Sequence, residues 1–598
     1  MPGASQTIRI GGASGFWGDA ALATEQLLGD EKLDFIVYDY LAEITMAILA
    51  RMRAADPGAG FAGDFLTAAM RPNLAEIARQ RVRIIANAGG MNPDACAAEL
   101  RKIIADQGLQ LKVSTVTGDD LLPRAAELAK AGHSDMFTNA AFPDPASIAS
   151  INAYLGAFPI ALALDQGADI VLTGRCVDSA VTLGAAIHAF GWQADKYDLL
   201  AAGSLAGHIL ECGTQATGGN FTDWHLIKGG FETIGYPIAE LAADGGVTIS
   251  KPENTGGLVS AGTVAEQLVY EIGDPQAYLL PDVTCDFSGV TIRQTAPDRV
   301  ALTGAKGRAP TAHYKTCLTW QDGWRGGHLF GYYGIDADQK AKAFASAAIN
   351  RTSAALARRE MAGFTETSVE ILGAESQFGT NRRPGPWREV NAKIAVRHTA
   401  AAGVGLFLKE ATGLGLSAPP GLSGFAGARP KPSPVMALFS FLLPKEAISV
   451  TIAGETGRQT YRAAIPTLPA SPLRRPAEPA KPAAEIETRR LSVIDLALAR
   501  SGDKGDSANI GVIARHPDYL PHLWHLLNEA EIRKVFGHFL KGGVERYLLP
   551  GCHAFNIVLN GVLGGGGTSS LRNDPQAKGY AQLLLAHQIE VPNSLLEV

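Results

Sequence analysis

Gly11-Gly12-Ala13-Ser14-Gly15-Phe16-Trp17-Gly18-Asp19 follows a short run of strand character at residues 7–10. A glycine turn at the end of a strand lets bare backbone N–H groups approach an anion or a carbonyl. The same grammar repeats outward from this stretch. Residues 33–38 end at Asp39, 82–86 at Asn87-Ala88-Gly89-Gly90, 111–116 at Thr117-Gly118-Asp119, and 170–172 at Thr173-Gly174-Arg175. Alanine-rich helical stretches such as 94–107 and 180–189 separate these apolar runs. Short apolar strands alternating with helices specify a parallel sheet covered on both faces. The expectation is an α/β protein with a doubly wound parallel-sheet N-terminal domain over residues 1–245.

Beyond residue 245 the pattern changes. Strands are expected at 263–272, 290–294, 300–304, 389–395 and 435–442, with a helix at 339–356, so 246–462 reads as an α+β middle domain. Residues 463–489 are rich in Pro and Ala, a composition that favours an extended tether. The remainder, 490–598, reads as a small α/β C-terminal domain with strands at 491–499 and 554–559. Its final helix is expected to be N-capped by Asp574, with Pro575 in the first helical position. A chain of 598 residues exceeds what one core supports, so several domains are required.

Composition narrows the function classes. The formal charge of −6 carries no basic excess and no Lys/Arg stripe is present, which argues against a nucleic-acid partner. Six scattered cysteines form no CxxC pair, so neither a disulfide scaffold nor a zinc ribbon is expected. No apolar stretch reaches the roughly 20 residues needed to span a bilayer, and the start lacks a signal-peptide pattern, so no membrane partner and a cytoplasmic location are expected.

Ligands of open parallel sheets bind outside the carboxyl ends of the strands, where the five N-domain loops gather. The first loop is not a dinucleotide fingerprint, because Ala13 stands where the second glycine of GxGxxG belongs, and neither glycine loop is a Walker A motif. Gly12, Ser14 and Gly15 are therefore candidates for anion or carbonyl binding, with a purely structural turn as the alternative. Asp39 could accept from a ribose hydroxyl or cap a helix. Asn87 and Gly89 lie at the third strand end, while Asn92 reads as an N-cap before Pro93. Arg175, the one cation at these strand ends, can grip a carboxylate or phosphate or else pair with Asp178.

His208, Glu211 and Cys212 fall at helical spacing in Gly207-His208-Ile209-Leu210-Glu211-Cys212-Gly213. HExxH is absent and no metal is expected. His208, Glu211 and Asp178 are the catalytic acid–base candidates, and the polar glycine loop that follows adds Asn220. In the tail, Ser501-Gly502-Asp503-Lys504-Gly505-Asp506-Ser507-Ala508-Asn509 reads as a second glycine loop whose Asp503, Lys504 and Asn509 are ligand candidates. A glycine tract at 564–567 is either a defined backbone geometry or a flexible loop.

The motifs at 11–19, 87–93, 172–178, 211–220, 251–257, 270–275 and 501–509, taken in this order, resemble the acyclic terpene utilisation (AtuA-like) family. The resemblance covers nearly the whole chain except the linker, with a large region fused to the family's small C-terminal domain. It implies an enzyme of branched, acyclic terpenoid acid catabolism, a lyase or hydro-lyase acting on a branched (3-hydroxy)acyl-CoA or related carboxylate. Coenzyme A then enters as part of the substrate, not as a cofactor. A non-catalytic acyl-CoA-binding subunit and a CoA-independent hydratase or hydrolase are the alternatives. A homo-oligomer is expected, with the C-terminal domain docked so that residues 501–509 or 564–567 lie near the main pocket.

Overall fold

Alternate residues of one short strand face two different cores, which decides the architecture. In Phe35–Tyr38, Phe35 and Val37 pack into one apolar cluster while Ile36 and Tyr38 pack into another. The computed structural model describes residues 6–19, 21–29, 32–227, 229–424, 429–465, 473–483 and 486–596. Strand β1 (Thr7–Gly12), β2 (Phe35–Tyr38), β3 (Arg83–Ala86), β4 (Val113–Thr117) and β6 (Ile170–Thr173) pair in parallel, with β6 lying between β3 and β4. β5 (Ile148–Ala153) leaves this sheet for another.

Antiparallel strands extend the parallel centre on both sides, so the sheet is mixed. β7 (Ile238–Ala242) pairs with β1, β8 (Val247–Ser250) follows, and the strands at Thr291–Ala296 and Arg299–Thr303 complete that edge. Val450–Gly454 and Gly457–Tyr461 add to the opposite edge beside β4. Strands from both sides of the expected 245/246 boundary thus share one sheet, because the hairpins beyond residue 245 find their unpaired edge on the first domain.

The middle region is built on a 21-residue strand, His313–Tyr333. Its first half pairs with β5 and with Ser433–Pro444, its second with Glu389–His398, and helices Ala337–Ala357 and Ala401–Gly413 pack on the second half. Residues 263–272, expected as a strand, begin instead as helix Ala261–Leu268. The Ser260 side chain accepts from the Thr263 N–H and the Thr263 hydroxyl accepts from the Ser260 N–H, a reciprocal cap that outweighs the β-branched content.

The C-terminal sheet is antiparallel, in the order Ala497–Lys504, Ser507–Ala514, Ala554–Leu559, Val544–Leu549. The expected glycine loop at 501–509 is therefore a β-hairpin, closed by Gly505-Asp506 with Gly505 at φ 63°. The last helix starts at Tyr580, not at Pro575; Asp574 instead accepts from Lys578 N and Gly579 N and closes the turn before it. Residues 466–472, 484 and 485 of the expected 463–489 linker lie outside the described residues. The described part is held down: Arg475 pairs with Asp274 at 2.6 Å, Gln276 donates to Arg474 O, and His525 bonds Pro479 O.

Candidate functional site: a charged cleft at the strand ends

The carboxyl ends of β2, β3 and β6 bring Asp39, Asn87, Arg175 and Asp178 together. Asn87 donates to Asp39 Oδ1 and accepts from Tyr40 N at 2.7 Å, so its amide is a fixed bridge between two strand ends. Burial, then the Asp178 charge, pushes the Asp39 carboxyl well above the ordinary range. Arg175 is buried, donates to Asp178 Oδ1 at 2.6 Å and lies 4.1 Å from the centre of the Tyr154 ring. Its Nε has no partner among the described residues.

Glycine serves the first loop by permitting close approach. A Cβ on Gly15 would stand 2.8 Å from the Cys212 backbone, and one on Gly12 3.0 Å from Leu210 O. The Gly12 N–H donates to Pro237 O and the Gly15 N–H to Asp19 Oδ2, while Ser14 Oγ donates to Asp39 O. Gly12 and Gly15 thus shape the floor on which residues 210–213 rest, with both their N–H groups engaged inside the chain. Gly89 likewise lets β3 pass the end of β6: its Cβ would meet Thr173 O at 2.5 Å.

Helix Tyr197–Leu210 carries His208 to the same edge, fully buried. His208 Nδ1 faces Glu211 Oε1 at 2.9 Å and Nε2 faces Leu268 O at 3.1 Å. A carbonyl only accepts, so Nε2 carries a proton, and the Nδ1–Glu211 contact shares one more. The imidazole has no nitrogen left for a ligand. Glu211 has: its Oε2 is buried without a partner among the described residues, on a side chain only 9% exposed. Burial and the nearby Asp178 raise the Glu211 carboxyl, partly offset by His208.

The C-terminal hairpin closes this cleft. Gly502 and Gly511 let it lie on the 269–271 turn; a Cβ on Gly502 would stand 2.5 Å from Glu271 Cγ, and one on Gly511 would collide with Val269. Asn509 gives both amide hydrogens away, to Val269 O and Asn556 Oδ1, and accepts from Glu271 N, so it cements the domains. Asp503 meets Lys578 at 3.5 Å, and burial followed by the Glu271 charge pushes it up to about 6. Lys504 pairs with Glu271 at 3.5 Å, yet 52% of its side chain is solvent-accessible. Burial works against its charge, but Glu271, Asp178, Glu43 and Glu211 outweigh it and hold the ammonium above the ordinary lysine range. Asn220 is exposed at φ 57°, next to Gly219, whose carbonyl accepts from Arg500 at the domain junction; it is not among these groups.

Five residues of the cleft escaped sequence reading: Glu43, Tyr154, Lys315, Glu271 and Lys578. Tyr154 donates to Glu43 at 2.7 Å and Lys315 stands 4.8 Å from the tyrosine ring centre. Burial opposes ionisation of Glu43, but Lys315 and Arg175 drive its carboxyl far down. The trace of Glu271 in the sequence is its place in the 270–275 motif; in the fold it stands in the left-handed region at φ 52° directly after Tyr270. Among the described residues, no group of three His, Cys, Asp or Glu is arranged to hold a metal, and no helix is long and apolar enough to cross a membrane. A surface groove of about 490 Å³ between Ile335–Gln339 and 382–388 is a different place. Its Arg382 is committed to Asp338 and its Arg383 to Glu375.

The family model described as acyclic terpene utilisation family protein AtuA matches residues 8–453, three quarters of the chain. The chain belongs to the AtuA family. A second model, the AtuA ferredoxin-like domain, matches residues 491–590, so this AtuA-family chain carries the large region and the small domain in one polypeptide. Membership places the protein in acyclic terpene utilisation. No curated protein matches the chain, and no solved structure does. The word ferredoxin does not extend to a cluster here: the matched segment holds one cysteine, Cys552, against the four thiolates of a ligated iron–sulfur centre.

Proposed function

We propose that this AtuA-family protein is a lyase or hydro-lyase acting on a branched acyl-CoA or the corresponding carboxylate. The reading treats the parallel centre as a doubly wound sheet whose carboxyl edge takes the ligand. One observation carries it: Glu211 Oε2 is buried without a hydrogen-bond partner among the described residues, and its carboxyl lies within electrostatic reach of Asp178, the partner of Arg175, and of Lys504. Chemistry next to a thioester or carboxylate needs a side chain that moves a proton and donors that hold the enolate oxygen. Glu211, whose carboxyl burial lifts above its ordinary range, takes the proton from the carbon beside the carbonyl. The electron pair moves onto the carbonyl oxygen. In a 3-hydroxyacyl substrate the hydroxyl then leaves with that proton as water, and the double bond forms. His208 fixes Glu211 Oε1 and so aims Oε2, acting as a positioning residue. Asp178 orients Arg175.

The test is incubation of the purified chain with a panel of branched 3-hydroxyacyl-CoA and 2-enoyl-CoA thioesters and their free acids, followed by mass spectrometry. Interconversion of at least one pair is expected. No turnover of any branched member, with tight binding of one, would favour the non-catalytic subunit instead.

A further inference from the structure

A half-exposed cation of the cleft, Lys504, comes from the other domain. An ammonium has three donors, and among the described residues Lys504 meets one oxygen, Glu271 Oε2, at 3.5 Å. Lys578 already takes Glu271 Oε1 at 3.0 Å and stands 3.5 Å from Asp503, so the acid is shared and Lys504 is left with donors to spare. The acids around it favour its charged form, which suits it to hold an oxygen.

Its position is fixed from behind. The hairpin turn is stapled by the glycine tract: Asp506 Oδ1 accepts from Leu563 N at 3.1 Å and Gly565 N at 2.7 Å, and Asp506 O accepts from Val562 N at 2.9 Å. Gly566 is pressed against Gly505 O, and Gly567 lies against Ile44, beside Glu43 on the large region. Three glycines at positive φ, 564 to 566, are what let the tract wrap this turn. A tract read from sequence as a possible flexible loop is a clamp on the residue that enters the cleft.

We infer that Lys504 is a catalytic residue of the cleft, gripping the acyl oxygen of the substrate, so that the site of the large region is completed by the C-terminal domain. This rests on the proposed reading. The shared ligand chemistry is an acyl oxygen, carried by a free carboxylate or a thioester carbonyl. In the full-length chain, binding of isovalerate and of isovaleryl-CoA is measured by calorimetry for the native protein, Lys504→Met and Lys504→Arg, with melting temperatures alongside. Lys504→Met keeps the apolar stem of a half-exposed side chain, so the fold should hold. The native chain should bind at least one probe, Lys504→Met should bind it tenfold or more weakly, Lys504→Arg should lie between, and added ethylammonium should restore part of the loss in Lys504→Met. Whichever probe shows the loss identifies the acid or the thioester as the source of the oxygen. Equal binding by native and Lys504→Met overturns the assignment while leaving the cleft chemistry intact; a native chain that binds neither probe overturns both.

Discussion

Two carboxyls at this edge are pushed in the same direction for different purposes. Glu211 keeps a buried Oε2 without a partner among the described residues, whereas Asp119 is a buried support, accepting from Arg175 N at 2.9 Å and from Asn152 at 2.8 Å. If Glu211 moves the proton, Glu211→Gln should lower kcat by about 10²–10⁴ while the melting temperature changes little. Steady-state kinetics on whichever pair is turned over reads this, and an unchanged kcat removes Glu211 from the mechanism. Burial raises Asp119 to about 7. An unfolded aspartate titrates near 3.9, so between these values the folded chain holds the extra proton. Its contribution is complete below about pH 4 and is lost as pH rises through about 7. Relative to native, Asp119→Asn should therefore fare better at about pH 8 than at about pH 5. Melting temperatures of both proteins at the two pH values check this; a pH-independent difference rejects it.

At the level of elements, the cleft exists because strand ends can crowd. Gly89 passes under the end of β6 and Gly174 over the Asp119 carboxylate. Gly89→Ala puts a methyl 2.5 Å from Thr173 O and 2.8 Å from Pro93 Cα, so β3 and β6 must separate. Overpacking of this kind costs about 1–3 kcal/mol. Urea denaturation should register the loss, and a variant as stable as native would mean that the backbone yields freely there. The strand ends themselves could be read from the chain, because each apolar run stops at a polar or glycine residue that must reach the same edge. Asn92 was equally readable as a cap, and its side chain does accept from Ala95 N. The hairpin could not: Arg500, Asp503, Lys504 and Asp506 crowd a glycine-flanked stretch with no apolar alternation to mark strands. Nor could the partners of Lys504, since Glu271 is 233 residues away and the pairing depends on how two domains meet.

The whole molecule is held by a buried charge pair at that meeting. Arg500 donates to Glu266 Oε2 through both Nε and Nη2, to the Gln215 side chain, and to Gly219 O, while Glu266 is fully buried and also accepts from Thr222 N. Removing one member strands the other, at a cost of about 3–5 kcal/mol, whereas removing both at once costs less than the sum. Chemical denaturation of Glu266→Gln, Arg500→Met and the double variant should give that coupling; strict additivity would show that the pair contributes nothing of its own. With the chain opened by an engineered protease site within residues 466–472, the two fragments should still travel together on gel filtration.

This pair also imposes an order on synthesis. Glu266 leaves the ribosome 234 residues before Arg500, an interval of about 10–50 s at ordinary elongation rates. Throughout it the nascent large region has an unneutralised carboxylate and the bare apolar seat of Val269 on its surface. It can settle only by keeping Glu266 hydrated or protonated until the tail emerges. Release of the large region alone, by premature termination, should therefore yield a species prone to chaperone capture and degradation, which makes the last hundred residues a checkpoint on the quality of the first five hundred.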